Sequence, residues 1–265
     1  MPLRRSKTTA GLTLLAALAL SVAHADEWDV GGDADNAFTT DNVVAHGSEQ
    51  IHDLAVLQGP APDQDWFLAP TQPFSSYQFV VDGTTGELDL TPASVQRMTT
   101  DGAGVLQNAL VTDFGGAVTL NWISSASSTP GAVLDLVRVQ GAACGTGCTG
   151  VDRYRARFYD TTYTIPRFNN SGTQATALTV QNATNRACDV AFFYFDGAGA
   201  LLLATPGTLG PRGLLVVPTA SLVPNQSGSV RIAHTCGYGG LSGKAVSVEP
   251  ATGLAFDTAM LHRPH

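Results

Sequence analysis

The stretch SYQFVVD, residues 76–82, carries the pattern that decides the fold. Successive side chains of an extended strand point to opposite faces. The apolar side chains of this stretch, Tyr77, Phe79 and Val81, therefore share one face, and polar residues occupy the other. This alternation predicts a β-strand with one face buried in a core.

Similar short runs recur along the whole chain, separated by turn-forming strings such as DGAG and DFGG. The first half contains runs at 51–57, 65–69, 76–82, 105–111, 117–124 and 132–139. The second half contains runs at 153–159, 175–182, 188–196, 199–205, 213–218, 228–234 and 243–249. No capped amphipathic helix of ten or more residues interrupts them. The pattern predicts an all-β protein made of two antiparallel β-sandwiches.

The first 25 residues have the three parts of a secretory signal peptide. A cationic start, the apolar run GLTLLAALALSVA and the small-x-small ending Ala23-His24-Ala25 follow one another. We expect Sec export, cleavage before Asp26, and a final location in the periplasm, at the cell surface or in the medium. No later stretch approaches the ~20 apolar residues of a membrane span, so no span is expected.

Charge is distributed unevenly along the remaining chain. Residues 26–140 contain 16 acidic and two basic residues, whereas residues 141–265 contain six acidic and nine basic ones. The resulting net charge of −11 excludes a non-specific nucleic-acid binder, because phosphate binding needs clustered Lys and Arg. The change coincides with the loop QGAACGTGCTG and predicts a domain boundary there. We expect an acidic domain at 26–140, a linker at 141–152, a second domain at 153–260 and a tail at 261–265.

The four cysteines predict two disulfides, because an even number of cysteines in an exported chain favours pairing over metal ligation. Cys144 and Cys148 lie in one short Gly-rich loop and are expected to pair. Cys188 and Cys236 are expected to join two predicted strands. A redox role for the first pair is disfavoured, because the loop lacks the strand-to-helix context of a C-x-x-C oxidoreductase.

The string DQDWF at residues 63–67 contains two carboxylates beside two aromatic side chains. On a strand, Asp63 and Asp65 would face the same side about 7 Å apart, which suits a Ca²⁺ site completed by oxygens from other segments. Four nearby aspartates are candidate donors of such oxygens: Asp33, Asp35, Asp41 and Asp53. The alternative is that the two carboxylates cap a turn while Trp66 or Phe67 enters the core.

The string RYRARFY at 153–159 places three arginines on one strand face: Arg153, Arg155 and Arg157. Three neighbouring guanidinium groups repel one another unless an anionic group faces them. One interpretation is that this face packs against the acidic first domain or binds an anionic ligand. The alternative is a solvated face with local pairing to Asp152 and Asp160.

Motifs of familiar hydrolases are absent from the sequence. The G-x-S-x-G elbow does not occur, and the nearest string, GGLSGK around Ser242, has the wrong spacing. The H-E-x-x-H motif of zinc proteases does not occur either. The histidines after the signal peptide all lack that context: His46, His52, His234, His262 and His265. We expect no catalytic activity, with a hydrolase of an unfamiliar β-sandwich class as an alternative.

Carbohydrate binding is a second alternative, because sugar-binding sandwiches display coplanar aromatic side chains on one sheet face. The candidates are Trp66, Trp122, Phe192, Tyr194 and Tyr238. Phe192 and Tyr194 share a strand face and are spaced to form such a platform. The competing interpretation is core packing, because aromatic side chains bury large areas.

Residues 52–83 resemble bacterial pre-peptidase C-terminal (PPC-like) domains, small jelly-roll-like sandwiches attached to secreted hydrolases and cell-surface proteins. The DxDWF strand of that family is matched by Asp63, Asp65, Trp66 and Phe67. The string GGAVTLNWIS at 115–124 sits near the position of the family's late G-x-Y strand, but the Tyr is absent. The resemblance covers residues 33–140 and implies a non-catalytic accessory module, of which some relatives bind calcium.

The second half resembles immunoglobulin- or fibronectin-like sandwiches of secreted bacterial proteins. The strings that carry this resemblance are TIPRFNNSGTQATALTVQN, YFDGAGALLL and LSGKAVSVEPATGLAFDT. Together with the first half, it implies a jelly-roll-like sandwich followed by an immunoglobulin-like one. The sequence therefore predicts an exported binding, adhesive or structural protein, with Ca²⁺ as its candidate ion. The expected partner is an extracellular or cell-surface protein or polysaccharide.

Overall fold

The computed structural model describes residues 35, 37–55, 63–83, 94–111, 117–124, 133–141 and 151–263. Within these ranges the chain is almost entirely antiparallel β-structure, with a short 3₁₀ turn at Thr219–Ser221, so the all-β prediction is confirmed. None of the helices in these ranges is long and apolar enough to cross a membrane. The predicted signal peptide and the predicted Cys144–Cys148 pair lie outside the described residues, as do Asp33 and His265.

The described part of the chain before Thr161 forms two antiparallel sheets. Its strands are β1 (Glu49–Ala55), β2 (Gln64–Thr71), β3 (Ser76–Gly83), β4 (Ser94–Met98), β5 (Val105–Asn108), β6 (Leu110–Val111), β7 (Val118–Ile123), β8 (Val133–Gln140) and β9 (Val151–Asp160). Sheet A has the strand order β2-β8-β4-β5, and sheet B has the order β1-β9-β3-β7-β6.

The first hydrophobic core lies between sheets A and B. Phe67 and Val137 of sheet A belong to the same buried cluster as Phe79 and Phe158 of sheet B. The ring of Phe67 lies 5.1 Å from that of Phe79. Full burial of a side chain of this size contributes about 1.5–3 kcal/mol. This core fixes which face of each strand points inward.

The part of the chain after Thr161 forms two further antiparallel sheets. Its strands are β10 (Tyr163–Asn169), β11 (Ala175–Asn182), β12 (Cys188–Asp196), β13 (Leu201–Leu209), β14 (Leu214–Pro218), β15 (Ser227–His234), β16 (Leu241–Glu249), β17 (Leu254–Ala259) and β18 (Leu261–His262). Sheet C has the order β13-β12-β15-β10-β18, and sheet D has the order β14-β11-β16-β17. A second core, which includes Phe168, Leu178, Tyr194 and Ile232, joins them.

Strand β9 corrects the predicted domain boundary. The sequence interpretation made residues 153–159 the first strand of the second domain. In the structure β9 pairs along its length with β1 and with β3 of sheet B. Its inward residues Tyr154 and Phe158 are buried in the first core, and burial outweighs the change in surface charge that suggested the boundary. Strand pairing therefore changes from the first half to the second between Asp160 and Tyr163.

The predicted disulfide between Cys188 and Cys236 is confirmed. Cys188 opens β12, and Cys236 follows β15 by two residues, so the bridge ties two neighbouring strands of sheet C together at one end. Both cysteines pack with the second core.

The two halves meet at a turn that carries Phe74. The Phe74 ring lies 5.1 Å from the ring of Phe193 and 5.7 Å from that of Phe195. Arg231 lies over the Phe195 ring and donates a hydrogen bond to the Pro73 carbonyl at 3.2 Å. Phe74 has a φ of 58°, a conformation that bulky residues rarely adopt. The strained backbone of Phe74 thus lies in the turn that contacts the second half.

A buried histidine also connects the halves. His234 is fully buried, and its Nε2 donates a hydrogen bond to the Thr161 carbonyl at 2.7 Å. Its Nδ1 accepts one from the Cys236 amide at 3.1 Å, so both ring nitrogens are engaged in the neutral form. Burial lowers the pKa of His234 to about 4. The neutral imidazole is therefore part of the folded structure at neutral pH.

We predict that the double variant Cys188→Ala/Cys236→Ala loses about 4 kcal/mol of unfolding free energy, because the bridge closes a loop with a sequence separation of 48. Urea unfolding followed by tryptophan fluorescence measures this loss. The wild-type protein unfolded in the presence of a reductant serves as the control. A double variant as stable as the oxidised wild type would contradict the prediction.

We predict that His234 makes stability depend on pH between 6.5 and 4. The pKa of His234 is lower in the folded state, so the unfolded chain binds the extra proton in this range. The stabilisation that neutral His234 adds to the free energy of unfolding is complete above pH 6.5. It is lost as pH falls to about 4, a change of about 3 kcal/mol. The measurement is urea unfolding at several pH values.

The variant His234→Gln should remove this dependence and destabilise the protein by about 1–3 kcal/mol at pH 7, because hydrogen bonds in a buried site are lost. The exposed His262→Gln variant is the matched control and should keep the wild-type pH profile. An unchanged profile in His234→Gln would refute the assignment.

Candidate metal centre and junction groove

Three ionisable side chains meet inside the first sandwich: Asp35, His52 and Asp65. Each is at most 3% exposed. One potential ligand atom from each lies within 4.8 Å of the others. We call this cluster the polar centre. It is the one group of three or more His, Cys, Asp or Glu side chains with metal-ligand spacing in the described ranges.

The strands on either side of the core position two members of the polar centre. Alternation along β1 places His52 on the same buried face as Leu54. Alternation along β2 places Asp65 on the same buried face as Phe67. His52 is also the register partner of Tyr154 in β9, and the two rings stack at 5.5 Å. The polar centre is thus built into the inner faces of both sheets.

The third member comes from the segment that runs beside β2. The Asp35 carbonyl accepts a hydrogen bond from the Trp66 amide at 2.7 Å. Further along, Leu68 donates to Asn42 at 2.8 Å, and Val44 donates to Leu68 at 3.0 Å. Val43 and Leu68 form a parallel bridge. Residue 35 and residues 37–44, here called the N-terminal strap, are therefore held on the edge of sheet A.

A hydrogen-bond network orients His52. The Gln50 amide nitrogen donates to the Val43 carbonyl at 3.2 Å, which turns the Gln50 oxygen toward His52 Nε2 at 3.1 Å. A carbonyl oxygen only accepts, so Nε2 carries a proton. His52 Nδ1 then faces Asp35 Oδ2 at 3.2 Å. The strap and β1 together fix the direction of the imidazole.

Burying the charged carboxylates of the polar centre costs electrostatic free energy. Burial raises the pKa of Asp65 well above its usual value, and the charges of Asp35 and Asp63 raise it further. The hydrogen bond that Tyr154 donates to Asp65 and the nearby His52 lower it. Among the described residues, Asp35 Oδ1 has no hydrogen-bond partner. A buried carboxylate without compensation is costly, so the centre favours a proton or a cation.

The structure changes the predicted calcium pair. Asp63 precedes β2 and is half-buried, and its carboxylate accepts a hydrogen bond from the Gln64 amide at 3.0 Å. Asp65 joins Asp35 and His52, so Asp63 is not part of the polar centre. Asp41 is exposed, and the Asp53 side chain lies outside the described atoms. Trp66 and Phe67 are buried, as the turn-and-core alternative expects.

His52 is the member of the centre that the sequence interpretation missed. Its signal is present in the string IHDLA, where alternation puts His52 and Leu54 on one face. A histidine that shares a strand face with core residues is buried and needs polar partners. The partners come from segments far apart in the sequence, so the string alone does not identify them.

The predicted arginine stripe is neutralised within sheet B. Arg155 pairs with Asp82 at 2.8 Å and with Glu49 at 3.6 Å, and Arg157 also pairs with Asp82. Arg155 and Arg157 therefore pack against acidic side chains of the first half, as one interpretation expects, and strand pairing within sheet B brings them there. Arg153 is exposed. Partly exposed pairs of this kind contribute about 0–1 kcal/mol each.

Four of the five candidate sugar-binding aromatics belong to hydrophobic cores. Trp66, Trp122, Phe192 and Tyr194 are at most 4% exposed. The predicted platform of Phe192 and Tyr194 is therefore wrong, because their shared face of β12 points into the second core. The fifth candidate, Tyr238, is partly exposed at the junction of the two halves.

Tyr238 belongs to a surface cluster that spans the junction. It stacks on Tyr159 with ring centres 4.8 Å apart. His46 lies 6.2 Å from it and His262 lies 5.8 Å from it, measured between ring centres. His46 Nδ1 also accepts a hydrogen bond from the Asp160 amide at 2.8 Å. This aromatic cluster joins residues of both halves.

A groove of about 390 Å³ lies next to this cluster. Its floor is the outer face of sheet B, where Gln78 and Asn121 are register partners. Its wall is formed by residues 184–189 and by the Cys188–Cys236 bridge. The Gln78 side-chain oxygen accepts a hydrogen bond from the Tyr238 amide at 3.0 Å, so groove and aromatic cluster share a border. We call this cavity the junction groove.

Comparison with known proteins does not assign the chain to a family. No protein-family model matches the sequence, and no curated protein is significantly similar to it. The polar centre and the junction groove are the features of the described residues that bear on function.

We predict that Asp65→Asn stabilises the protein at neutral pH in the presence of a chelator, by on the order of 1 kcal/mol. Asn keeps an acceptor for Tyr154 and removes the buried charge. The pKa of Asp65 is raised in the folded state, so wild-type stability falls as pH rises above the unfolded value. The gain should therefore vanish below about pH 4.

Thermal and urea unfolding across pH measure this difference. The variant Asp41→Asn removes an exposed carboxylate of the N-terminal strap and should change stability by less than about 0.5 kcal/mol. If Asp65→Asn were less stable than wild type at pH 7 under chelation, the stated cost of the buried charge would be incorrect.

Proposed function

We propose that this chain is an exported, non-catalytic binding protein with an adhesive or structural role. In this proposal, sheets A and B form a jelly-roll-like sandwich, and sheets C and D form an immunoglobulin-like one. The observation that carries the proposal is the junction groove, a preformed cavity between two halves that contact each other closely. Ligand sites occur preferentially at such junctions.

Contacts between the two halves favour a fixed geometry at the groove. Phe74 packs on two aromatic rings of β12, and His234 donates to the Thr161 carbonyl that lies between the halves. The Gln78–Tyr238 hydrogen bond closes one border of the groove. A binding surface that is ordered before the ligand arrives avoids much of the entropy cost of association. This frame supports a binding role.

The lining of the groove favours an uncharged, hydroxyl-rich ligand. Its polar side chains are mostly amides and hydroxyls, among them Gln78, Gln107, Asn121, Thr184 and Asn185. Such groups both donate and accept hydrogen bonds. The stacked pair of Tyr159 and Tyr238 offers aromatic surface beside them. A carbohydrate-binding accessory module is therefore the second, more specific candidate.

The surroundings of the buried histidines support a non-catalytic role. His52 and His234 are fully buried, and His234 uses both ring nitrogens in structural hydrogen bonds. A general acid or base must reach the substrate within hydrogen-bond distance. The Cys188–Cys236 bridge supports an oxidising location, since disulfides persist there.

We predict that the purified protein binds neutral oligosaccharides on a glycan array. For a ligand so identified, the double variant Gln107→Ala/Asn185→Ala should weaken the affinity about tenfold or more in calorimetry, because two hydrogen-bonding side chains of the groove are lost. The matched control is Gln181→Ala, an exposed glutamine of β11 that does not line the groove.

Equal binding by the double variant and the control would place the ligand outside the groove and refute the proposed site. Binding to an extracellular protein in place of any oligosaccharide, with the same loss in the double variant, would favour the general binding role over the carbohydrate module.

A further inference from the structure

We propose that Asp35, His52 and Asp65 form a binding site for one divalent transition-metal ion, with Zn²⁺ as the expected ion, that ties the N-terminal strap to the first sandwich. This site lies inside the first half, apart from the junction groove.

The donor atoms have the separation that one ion requires. Tetrahedral ligands at about 2.0–2.1 Å from zinc lie about 3.3 Å from one another. The distance between His52 Nδ1 and Asp35 Oδ2 is 3.2 Å, and the potential ligand atom of Asp65 lies within 4.8 Å of both. A contraction of at most about 1.5 Å on the Asp65 side completes such an arrangement.

The surrounding side chains have the roles expected of groups that orient metal ligands. Metal-bound histidines usually donate their second ring N–H to an oxygen acceptor, which fixes the ring and the tautomer. Gln50 provides that acceptor for His52 Nε2 and is itself held by the Val43 carbonyl. Tyr154 donates to one oxygen of Asp65 in the same way. The imidazole and one carboxylate are therefore already oriented.

An orphaned oxygen provides an independent indication of a cation. Asp35 is fully buried, and its Oδ1 has no hydrogen-bond partner in the described part of the chain. Two carboxylates and one imidazole in a site of low polarity have too little positive charge to balance them. A divalent ion supplies that charge, and the carboxylate of Asp35, neither of whose oxygens has a hydrogen-bond partner among the described residues, would coordinate it.

The donor set selects the class of ion. Ca²⁺ takes six to eight oxygen ligands, whereas the polar centre offers one nitrogen and two carboxylates in an enclosed space. Imidazole with carboxylate suits Zn²⁺ and its neighbours in the first transition row. Since all three side chains are at most 3% exposed, the expected role is structural. This proposal names a different ion and a different set of residues from the calcium site expected at Asp63 and Asp65, which stays a prediction.

The test uses the chain from residue 26 onward, purified and stripped with a chelator. We expect Co²⁺ to bind with one ion per chain and to produce visible absorption bands of a four- or five-coordinate site. Zn²⁺ should displace Co²⁺. At a hundredfold excess over its dissociation constant, Zn²⁺ should raise Tm by about 5–10 °C. Ca²⁺ should produce neither the displacement nor the shift.

Variants distinguish Co²⁺ binding at the polar centre from Co²⁺ binding at the protein surface. His52→Gln and Asp35→Asn should weaken Co²⁺ binding at least 100-fold, and Gln50→Ala should weaken it about 10–100-fold by releasing the ring. Asp41→Asn and Asp63→Asn are the matched controls, because they remove carboxylates outside the polar centre and should bind Co²⁺ like the wild type. Circular dichroism of each variant confirms that it is folded.

Three results would overturn the proposal. The first is a folded wild-type protein that binds neither Co²⁺ nor Zn²⁺ at 100-fold molar excess, which would leave a proton as the balancing charge. The second is undiminished binding by folded Asp35→Asn. The third is a Ca²⁺ shift equal to that of Zn²⁺. The first and third use the wild type alone and stand even if a variant fails to fold.

Discussion

The pairing of β9 with β1 on one side and β3 on the other is the constraint on which the rest of the molecule depends. Its inner face supplies Tyr154 and Phe158 to the first core, and its outer face neutralises the acidic side chains of neighbouring strands. Its end leads directly to Thr161, whose carbonyl His234 binds. Because β9 contributes to the first core, to the outer face of sheet B and to the junction of the halves, the polar centre and the groove have fixed positions relative to each other.

Two buried histidines show how one residue type takes different roles in similar cores. His234 is satisfied by backbone groups on both ring nitrogens, so burial keeps it neutral and its pKa falls. His52 instead has its Nδ1 facing the buried Asp35 carboxylate at 3.2 Å. The difference lies in the partners and not in the exposure. Burial alone therefore does not indicate whether a histidine is structural or a ligand.

Most strands could be predicted from the sequence, because alternation reports burial directly, as at Tyr77 and Phe79 in β3. The sequence analysis has no run at β4, β10, β17 or β18. Of these, β10 contains Pro166 next to a register shift, and β17 is almost wholly exposed. The partners of His52 and of Arg155 were not predictable, because the order of strands in the sheets brings them together. The local pattern of apolar and polar residues does not reveal strand order. For the same reason, the change in surface charge gave the wrong boundary at β9.

The bridge between Cys188 and Cys236 forms part of the wall of the junction groove. It holds the start of β12 against the end of β15, and the next residue, Gly237, approaches Gln78 so closely that a Cβ there would lie 2.9 Å from the Gln78 amide nitrogen. Reduction of the bridge would remove the covalent link between these two segments of the wall. One wall of the groove thus contains a covalent bond that persists only in an oxidising environment.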